Sequence, residues 1–391
     1  MDTIITILAR ELGRDPAHVE NVVRLIDEGN TIPFIARYRK ELHGAMDDTA
    51  LRTLADRLGY LRNLDKRREE VKTSIEGQGK LTEDLAAAID AAATLAEVED
   101  LYLPYKPKRR TRATMAREKG LEPLADTLFA KGSPVDPAAL AVNFIDPEKG
   151  VETVDDALQG ASDIIAEAVS DDAVVRKSLR ELYLRRGLLV SRAAEKEPAD
   201  SVYRLYYDFS APVGRVQGHQ VLAINRGERE GVLKAGVELD AETARVAVRR
   251  QVVPGRAAMD FVRAAADDAW DRLLKPSLER ELRSTLTEQA DEGAIHNFAL
   301  NLKPLLMQPP VKGFVTMGLA PGYRNGCKVA VVDATGKVLD TAVVYPTFSE
   351  RKKQEAIHTL AGLVKKHGVQ HIAIGNGTAS RETEQMTVEL I

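Results

Sequence analysis

The chain has 391 residues, of which 44% are hydrophobic and 29% are charged, and its formal net charge is -4. These values are ordinary for a globular protein of two to four domains. They exclude a bulk basic field, so any contact with nucleic acid requires a local cationic patch. The single cysteine, Cys327, excludes an intramolecular disulfide and fits a reducing compartment.

The N-terminus carries an acidic residue at once and lacks the basic stretch and small-residue cleavage site of a signal peptide. No apolar run reaches the ~18 residues that a membrane span needs. The sequence therefore predicts a cytoplasmic protein without membrane contacts.

Residues 1–200 are predicted to be helical throughout. A long helix is expected from Thr49 to Ile75, a polar turn at 77–80, and a second helix over Leu81–Leu95, which together form an antiparallel hairpin. The leucines that mark the first of these helices recur at alternating spacings of three and four residues: Leu51, Leu54, Leu58, Leu61 and Leu64.

The segment before this hairpin has the pattern of a helix-turn-helix element. Helices are predicted over Pro16–Glu28 and Pro33–Leu42, with a Gly-Asn-Thr turn at 29–31 between them. The second helix carries Arg37 and Lys40 away from its apolar face. Those cations could contact nucleic acid, or the element could be a helical packing unit only.

The best candidate for a nucleic-acid site lies at 101–125. Pro104 and Pro107 disfavour helix there, and two tyrosines, Tyr102 and Tyr105, accompany five cations. The cations are Lys106, Lys108, Arg109, Arg110 and Arg112. Such a cluster could contact phosphates and stack on bases. In the alternative interpretation, the arginines pair with the upstream acids Glu97, Glu99 and Asp100.

The middle of the chain, 201–311, is predicted to be a mixed α/β spacer. It follows a Pro- and Tyr-rich linker or domain edge at 198–214 and contains one strand, Val232–Leu239. A long helix begins at Ser277 and is kinked or ended by Pro304. Its predicted buried stripe consists of Leu282, Leu286, Ala290, Ala294, Phe298 and Leu302.

The last segment, 312–391, has the opening order of an RNase H-like domain. Its predicted elements are three strands, a helix and a fourth strand, namely Phe314–Leu319, Cys327–Asp333, Val338–Tyr345, Glu350–His367 and Gln370–Ile374. That fold hosts nucleases, resolvases, ATPases and inactive binding domains, so it does not by itself predict an activity.

The acidic side chains that would support nuclease chemistry are missing from this segment. An RNase H-like nuclease holds two divalent metals on carboxylates at strand ends. Here the end of the first strand has Ala320, the end of the fourth has Asn376, and Asp333 is expected to serve a hairpin turn. We therefore expect no metal site, no cofactor and no enzyme activity.

Six blocks of sequence, in order, resemble the bacterial Tex family of transcription accessory proteins. They are NTIPFIARYRKELHGAMDD, LYLPYKPKRRTRATMAREKGLEPLA, LAINRGEREGVLK, KPSLERELRSTLTEQADEGAI, GLAPGYRNGCKVAVVDATGK and AIGNGTASRETE. The resemblance implies a helical N-terminal Tex region at 1–200 and a YqgF-type RNase H-like domain at 312–391, incomplete at its C-terminus. The family usually has Asp where this chain has Ala320, which puts any metal function of that Asp in doubt here.

Family members continue into helix-hairpin-helix modules and an OB-fold that carries most RNA binding, so the resemblance predicts that this chain is truncated. The fold expected is multidomain and mainly α-helical. The function expected is that of a non-enzymatic transcription-associated scaffold, with weak binding to RNA or DNA and with RNA polymerase or a transcription complex as partner. The alternatives are a metal-dependent nuclease or resolvase, and a module that binds only protein.

Overall fold

The computed structural model describes residues 4–107, 109–195, 201–309 and 311–391. The chain divides into two compact units, Met1–Ile295 and His296–Ile391. The first is mainly helical and the second contains a mixed sheet, as the sequence predicts. None of the described helices has the length and hydropathy needed to cross a membrane.

The N-terminal part of the first unit is a set of short helices packed on one long helix. The helices are α1 (Ile4–Leu12), α2 (Pro16–Asp27), α3 (Ile32–Tyr38), α4 (Asp48–Glu76), α5 (Glu83–Ala91) and α6 (Leu95–Tyr102). Asp47 caps α4 by accepting a hydrogen bond from the Ala50 amide at 2.7 Å. The five leucines of the predicted stripe on α4 are buried, which confirms the period that the sequence indicates.

Two predicted helices are shorter than expected. Helix α3 ends at Tyr38 instead of Leu42, because Arg39 leaves the helical region with φ −130°. Lys40 therefore lies in the turn that follows. The predicted helix Leu81–Leu95 ends at Ala91, where Ala92 turns to an extended conformation, and α6 begins separately.

The remainder of the first unit surrounds a larger core that contains Trp270 and Tyr183, both fully buried. Its helices are α7 (Arg112–Glu118), α8 (Glu122–Phe129), α9 (Pro137–Ala141), α10 (Val154–Asp171), α11 (Ala173–Arg186), α12 (Gly218–Arg229), α13 (Ala241–Val252), α14 (Met259–Asp268) and α15 (Lys275–Leu306), of which residues 275–295 belong to this unit. A π-helical segment, Ala269–Leu274, connects α14 to α15.

A small antiparallel sheet corrects the prediction of helix throughout 1–200. Its strands are β1 (Leu188–Ala193), β2 (Asp208–Pro212) and β3 (Leu233–Glu238), in the order β2-β1-β3. Leu189, Val190 and Ser191 are all buried. Because β1 is covered on both faces, it shows no alternating pattern that would distinguish it from a helix.

The same sheet also corrects the linker prediction at 198–214. Residues 196–200 lie outside the described residues, but Asp208–Pro212 pairs along its whole length with β1. The predicted strand Val232–Leu239 is confirmed as β3.

Helix α15 differs from its predicted pattern in its second half. Leu282, Leu286 and Ala290 are buried, whereas Phe298 is 66% exposed and Leu302 is 36% exposed. Pro304 lies inside the helix. Periodic apolar residues indicate burial only where another element packs against them.

The second unit has the strand arrangement that an RNase H-like domain requires. Its elements are β4 (Thr316–Ala320), β5 (Cys327–Val332), β6 (Val338–Val344), α16 (Glu350–His367), β7 (His371–Ile374) and α17 (Ser380–Leu390). The sheet order is β6-β5-β4-β7, with β7 parallel to β4 and the other pairs antiparallel. Helix α16 forms the crossover, so the predicted order of elements is confirmed.

Candidate nucleic-acid interface

Hydrogen bonds anchor both ends of the segment that follows α6. A short 3₁₀ turn covers Leu103–Tyr105, and the Lys106 amide donates to the Tyr102 carbonyl at 3.0 Å. The Tyr105 carbonyl accepts a hydrogen bond from the Gln78 side chain at 2.9 Å. At the far end Thr111 caps α7 by accepting a hydrogen bond from the Thr114 amide, so the segment is anchored on both sides.

Most of the predicted cations of this segment lie on the surface. Lys106, Arg109, Arg110 and Arg112 are exposed, and Lys108 lies outside the described residues. Arg110 contacts Glu118 at 3.0 Å, with side chains 71% and 60% exposed, so water screens this pair strongly. Within the described part of the chain, the other three side chains make no ion pair.

The alternative interpretation of this segment is wrong, because the three upstream acids bind other cations. Glu97 contacts Lys177 at 2.7 Å, Glu99 contacts Arg67 at 2.6 Å, and Asp100 contacts Arg176 at 2.8 Å as well as Arg180. All four partners lie outside 101–125. The carboxylates expected to neutralise the cluster are therefore already occupied.

The second predicted pair of cations shares a groove with aromatic side chains. Arg37 and Lys40 are exposed and line a depression of about 610 Å³ together with Phe34 and Tyr38. The two aromatic rings lie 5.2 Å apart, and Tyr38 is 56% exposed. Asp48 also lines this groove, but it contacts Arg52 at 2.7 Å. The groove therefore combines positive charge with an exposed ring, the two features with which proteins bind single-stranded nucleic acids.

Sequence reasoning missed three further cations near aromatic or apolar surface. Arg39 lies with its guanidinium carbon 5.3 Å from the centroid of the Phe34 ring, which places a third positive charge beside the groove. On another part of the first unit, Arg186 and Arg250 line one depression although they come from different helices. Their separation in sequence leaves no local charge run to reveal them.

In the second unit, the strand ends where an RNase H-like nuclease would bind metal carry no acid. Ala320 is the last residue of β4, and the Gly375 amide after β7 donates to the Leu319 carbonyl at 2.8 Å. These contacts bring Ala320 and the Gly375-Asn376 turn side by side. A methyl group and a neutral amide therefore stand at the two adjacent strand ends.

Asp333 serves the hairpin turn between β5 and β6, as the sequence predicts. Its carboxylate accepts hydrogen bonds from the Thr335 hydroxyl at 2.7 Å, the Thr335 amide at 2.8 Å and the Lys337 amide at 3.0 Å. These bonds lower the pKa of Asp333, that from the Thr335 hydroxyl most. The described residues contain no group of three or more His, Cys, Asp or Glu side chains placed to hold a metal ion.

Three family models match the chain in order along its length. They are the Tex-like protein N-terminal domain over residues 2–76, the Tex central region over 133–298, and the Tex protein YqgF-like domain over 314–391. The chain belongs to the Tex family. The resemblance inferred from the six sequence blocks is thereby confirmed.

Relatives in the family include bacterial and animal proteins. The chain is 45% identical to Protein tex of Bordetella pertussis, over 99% of this chain and 51% of the relative. It is 42% identical to Transcriptional accessory protein Tex of Neisseria gonorrhoeae, over 99% and 51%. It is 33% identical to human S1 RNA-binding domain-containing protein 1, over 99% and 40%. The chain thus spans about half the length of the bacterial Tex relatives it matches.

Proposed function

We propose that this Tex-family chain contacts single-stranded nucleic acid and acts in transcription without catalysing a reaction. The observation that carries the proposal is that Lys106, Arg109 and Arg112 are exposed and make no ion pair within the described residues. The upstream acids Glu97, Glu99 and Asp100 bind other cations. The names of two relatives, a transcriptional accessory protein and an S1 RNA-binding domain-containing protein, support a role in transcription and in nucleic-acid binding.

The binding that these cations support is electrostatic and independent of base sequence. Each phosphate that a lysine or arginine neutralises releases a condensed counterion, which makes affinity fall with salt. The groove beside Phe34 and Tyr38 adds a ring on which a base can stack. Few cations take part and the net charge is negative, so the affinity of this chain alone is low.

The test neutralises two cations of the segment in the variant R109Q/R112Q. Its binding to a labelled uridine-rich RNA of about 20 nucleotides is measured by fluorescence anisotropy between about 50 and 200 mM salt. We expect weaker binding and a salt slope reduced by about 0.7 for each lost phosphate contact. A matched control, R14Q/R229Q, removes two exposed arginines elsewhere in the same unit. Equal affinity and slope for R109Q/R112Q and the parent would refute the segment as a binding site.

We also propose that the RNase H-like unit does not cleave nucleic acid. A nuclease of this kind binds two metal ions through several carboxylate ligands. An acid in place of Ala320 alone would not supply them. Incubation with branched DNA and single-stranded RNA in Mg²⁺ or Mn²⁺ is expected to leave both substrates intact. The nuclease or resolvase alternative would be favoured if a cleavage activity copurified with the chain and a chelator abolished it.

The partner that fits this proposal is a transcription complex containing RNA polymerase. The proposal rests on the family and on the name of the Neisseria gonorrhoeae relative. Co-purification of the chain with RNA polymerase, with and without nuclease treatment, tests it. Association that survives nuclease indicates a protein contact, and no association in either condition contradicts the proposal.

A further inference from the structure

A second kind of surface lies between helices α11 and α13 of the first unit. The two helices form a groove of about 630 Å³ whose lining includes Leu182 and Arg186 on α11 and Val246 and Arg250 on α13. On each helix the lining residues recur every three or four positions, so each helix contributes one ridge to the groove. No family feature described above accounts for it.

A hydrogen bond and a charge–charge interaction indicate that α11 and α13 run in opposite directions along this groove. The Gln251 side chain, near the end of α13, donates a hydrogen bond to the Ser178 hydroxyl in the first half of α11. Beyond the same end of α13, Arg256 lies close enough to Asp172 for their charges to interact. Arg250 therefore stands at one end of the groove, and Arg185 and Arg186 stand at the other.

The two ends of the groove are cationic, and its middle combines apolar side chains, Leu182, Val246 and Ala247, with the carboxylate of Glu181. Arg186 and Arg250 are exposed and make no ion pair within the described residues. Arg185 contacts Glu181 at 3.1 Å, but both side chains are more than half exposed, so this pair is weak. Between the ends, Val246 is 51% exposed next to the half-buried Leu182.

The spacing of these features matches one face of an α-helix. Ser178 and Arg186 lie eight residues apart on α11, which corresponds to about 12 Å at the helical rise. A bound helix covers the same length when an apolar residue is flanked by acidic residues about one turn before it and one turn after it. Its acids then meet the arginines while its apolar side chain fills the middle.

We propose that the groove between α11 and α13 binds an acidic amphipathic helix of a protein partner. The lining favours a peptide over nucleic acid because none of the described lining residues is aromatic, which leaves no ring for base stacking. In helix-in-groove recognition an amphipathic helix lays its apolar face into a hydrophobic groove, and here arginines at the two ends add charges complementary to acidic residues. The site is separate from the cationic segment 106–112 and does not depend on nucleic-acid binding.

The test uses a labelled, Ala-rich helical peptide of about 20 residues, with Glu about one turn on each side of a central Leu. A second peptide has Gln in place of both Glu residues, and a third has Lys. Fluorescence anisotropy is expected to show the Glu peptide binding the parent chain more tightly than the Gln peptide. The variant R186E/R250E is expected to lose about tenfold in affinity for the Glu peptide.

Two controls separate docking from general charge and from misfolding. The variant R14E/R229E changes the net charge equally at exposed arginines outside the groove, and it should bind the Glu peptide as the parent does. The Lys peptide should bind R186E/R250E better than it binds the parent, which shows that the variant is folded and that its groove is used.

Three results would overturn the proposal. These are equal binding of the Glu and Gln peptides by the parent, equal binding of the Glu peptide by R186E/R250E and R14E/R229E, and failure of the Lys peptide to favour R186E/R250E. If R186E/R250E instead loses uridine-rich RNA while the parent binds none of the peptides, the groove is a nucleic-acid site.

Discussion

The buried ion-pair cluster that joins α6, α11 and α15 yields a quantitative prediction. Asp100 contacts Arg176 at 2.8 Å, and these two side chains are 5% and 6% exposed. Glu281 contacts Arg176 at 2.8 Å from the other side, and Arg180 bridges the same two acids. The substitution Asp100→Asn keeps the shape of the side chain and removes one of the two negative charges.

The expected loss in the free energy of unfolding of Asp100→Asn follows from the arginine charges that remain buried. Removing one partner of a buried pair costs about 3–5 kcal/mol, because the other charge stays buried without full compensation. Glu281 is 30% exposed and still faces both arginines, so the expected loss is about 3 kcal/mol. Glu97→Gln is the matched control on the same helix. Its Lys177 partner is 57% exposed, so the control should cost only about 0.2–1 kcal/mol.

The assay uses the fluorescence of Trp270 during urea unfolding. This is the single tryptophan of the chain and is fully buried in the first unit, so its signal reports the stability of that unit. With a slope of about 3 kcal/mol/M, Asp100→Asn should lower the unfolding midpoint by about 1 M and Glu97→Gln by about 0.3 M or less. Equal shifts for the two variants would refute the reasoning that burial makes the Asp100 pair costly to break.

Two predictions concern the second unit. The pKa of Asp340 is well below its usual range, chiefly because of the hydrogen bond from Lys366. A carboxyl group whose pKa is lower in the folded state than in the unfolded state stabilises the fold at pH values above its unfolded pKa of ~4. That stabilisation is lost as the pH falls from there toward the folded-state pKa. The rate at which dithiodipyridine labels the buried Cys327 should therefore rise at acidic pH, and it should rise less steeply in the variant Asp340→Asn. Equal pH profiles for the parent and the variant would contradict this prediction. At Gly326 φ is +72°, and a methyl group added there would lie 2.7 Å from a carbonyl oxygen, whereas at Gly336 φ is +89° and the added methyl would meet open space. Gly326→Ala should therefore lower the thermal unfolding midpoint more than Gly336→Ala. An equal loss in the two variants, measured by circular dichroism, would refute the steric argument.

The sequence alone determined the features that depend on neighbours a few positions away. The leucine spacing along α4, the Asp333 turn and the order of elements from β4 to β7 follow from local periods and turn residues. The absence of acids at Ala320 and Asn376 is likewise a property of the chain itself. The structure added that these two positions lie at adjacent strand ends.

Only the tertiary structure decided which charges meet. The sequence places Asp100 close to the cations of 106–112, yet the fold carries it to Arg176, 76 residues away, and leaves Arg109 and Arg112 exposed. It likewise brings Arg186 and Arg250 into one groove. Coulombic attraction acts on distance in space, and helix packing sets that distance. Spacing along the chain predicts contacts within an element but not those between elements, and the groove between α11 and α13 depends on the second kind.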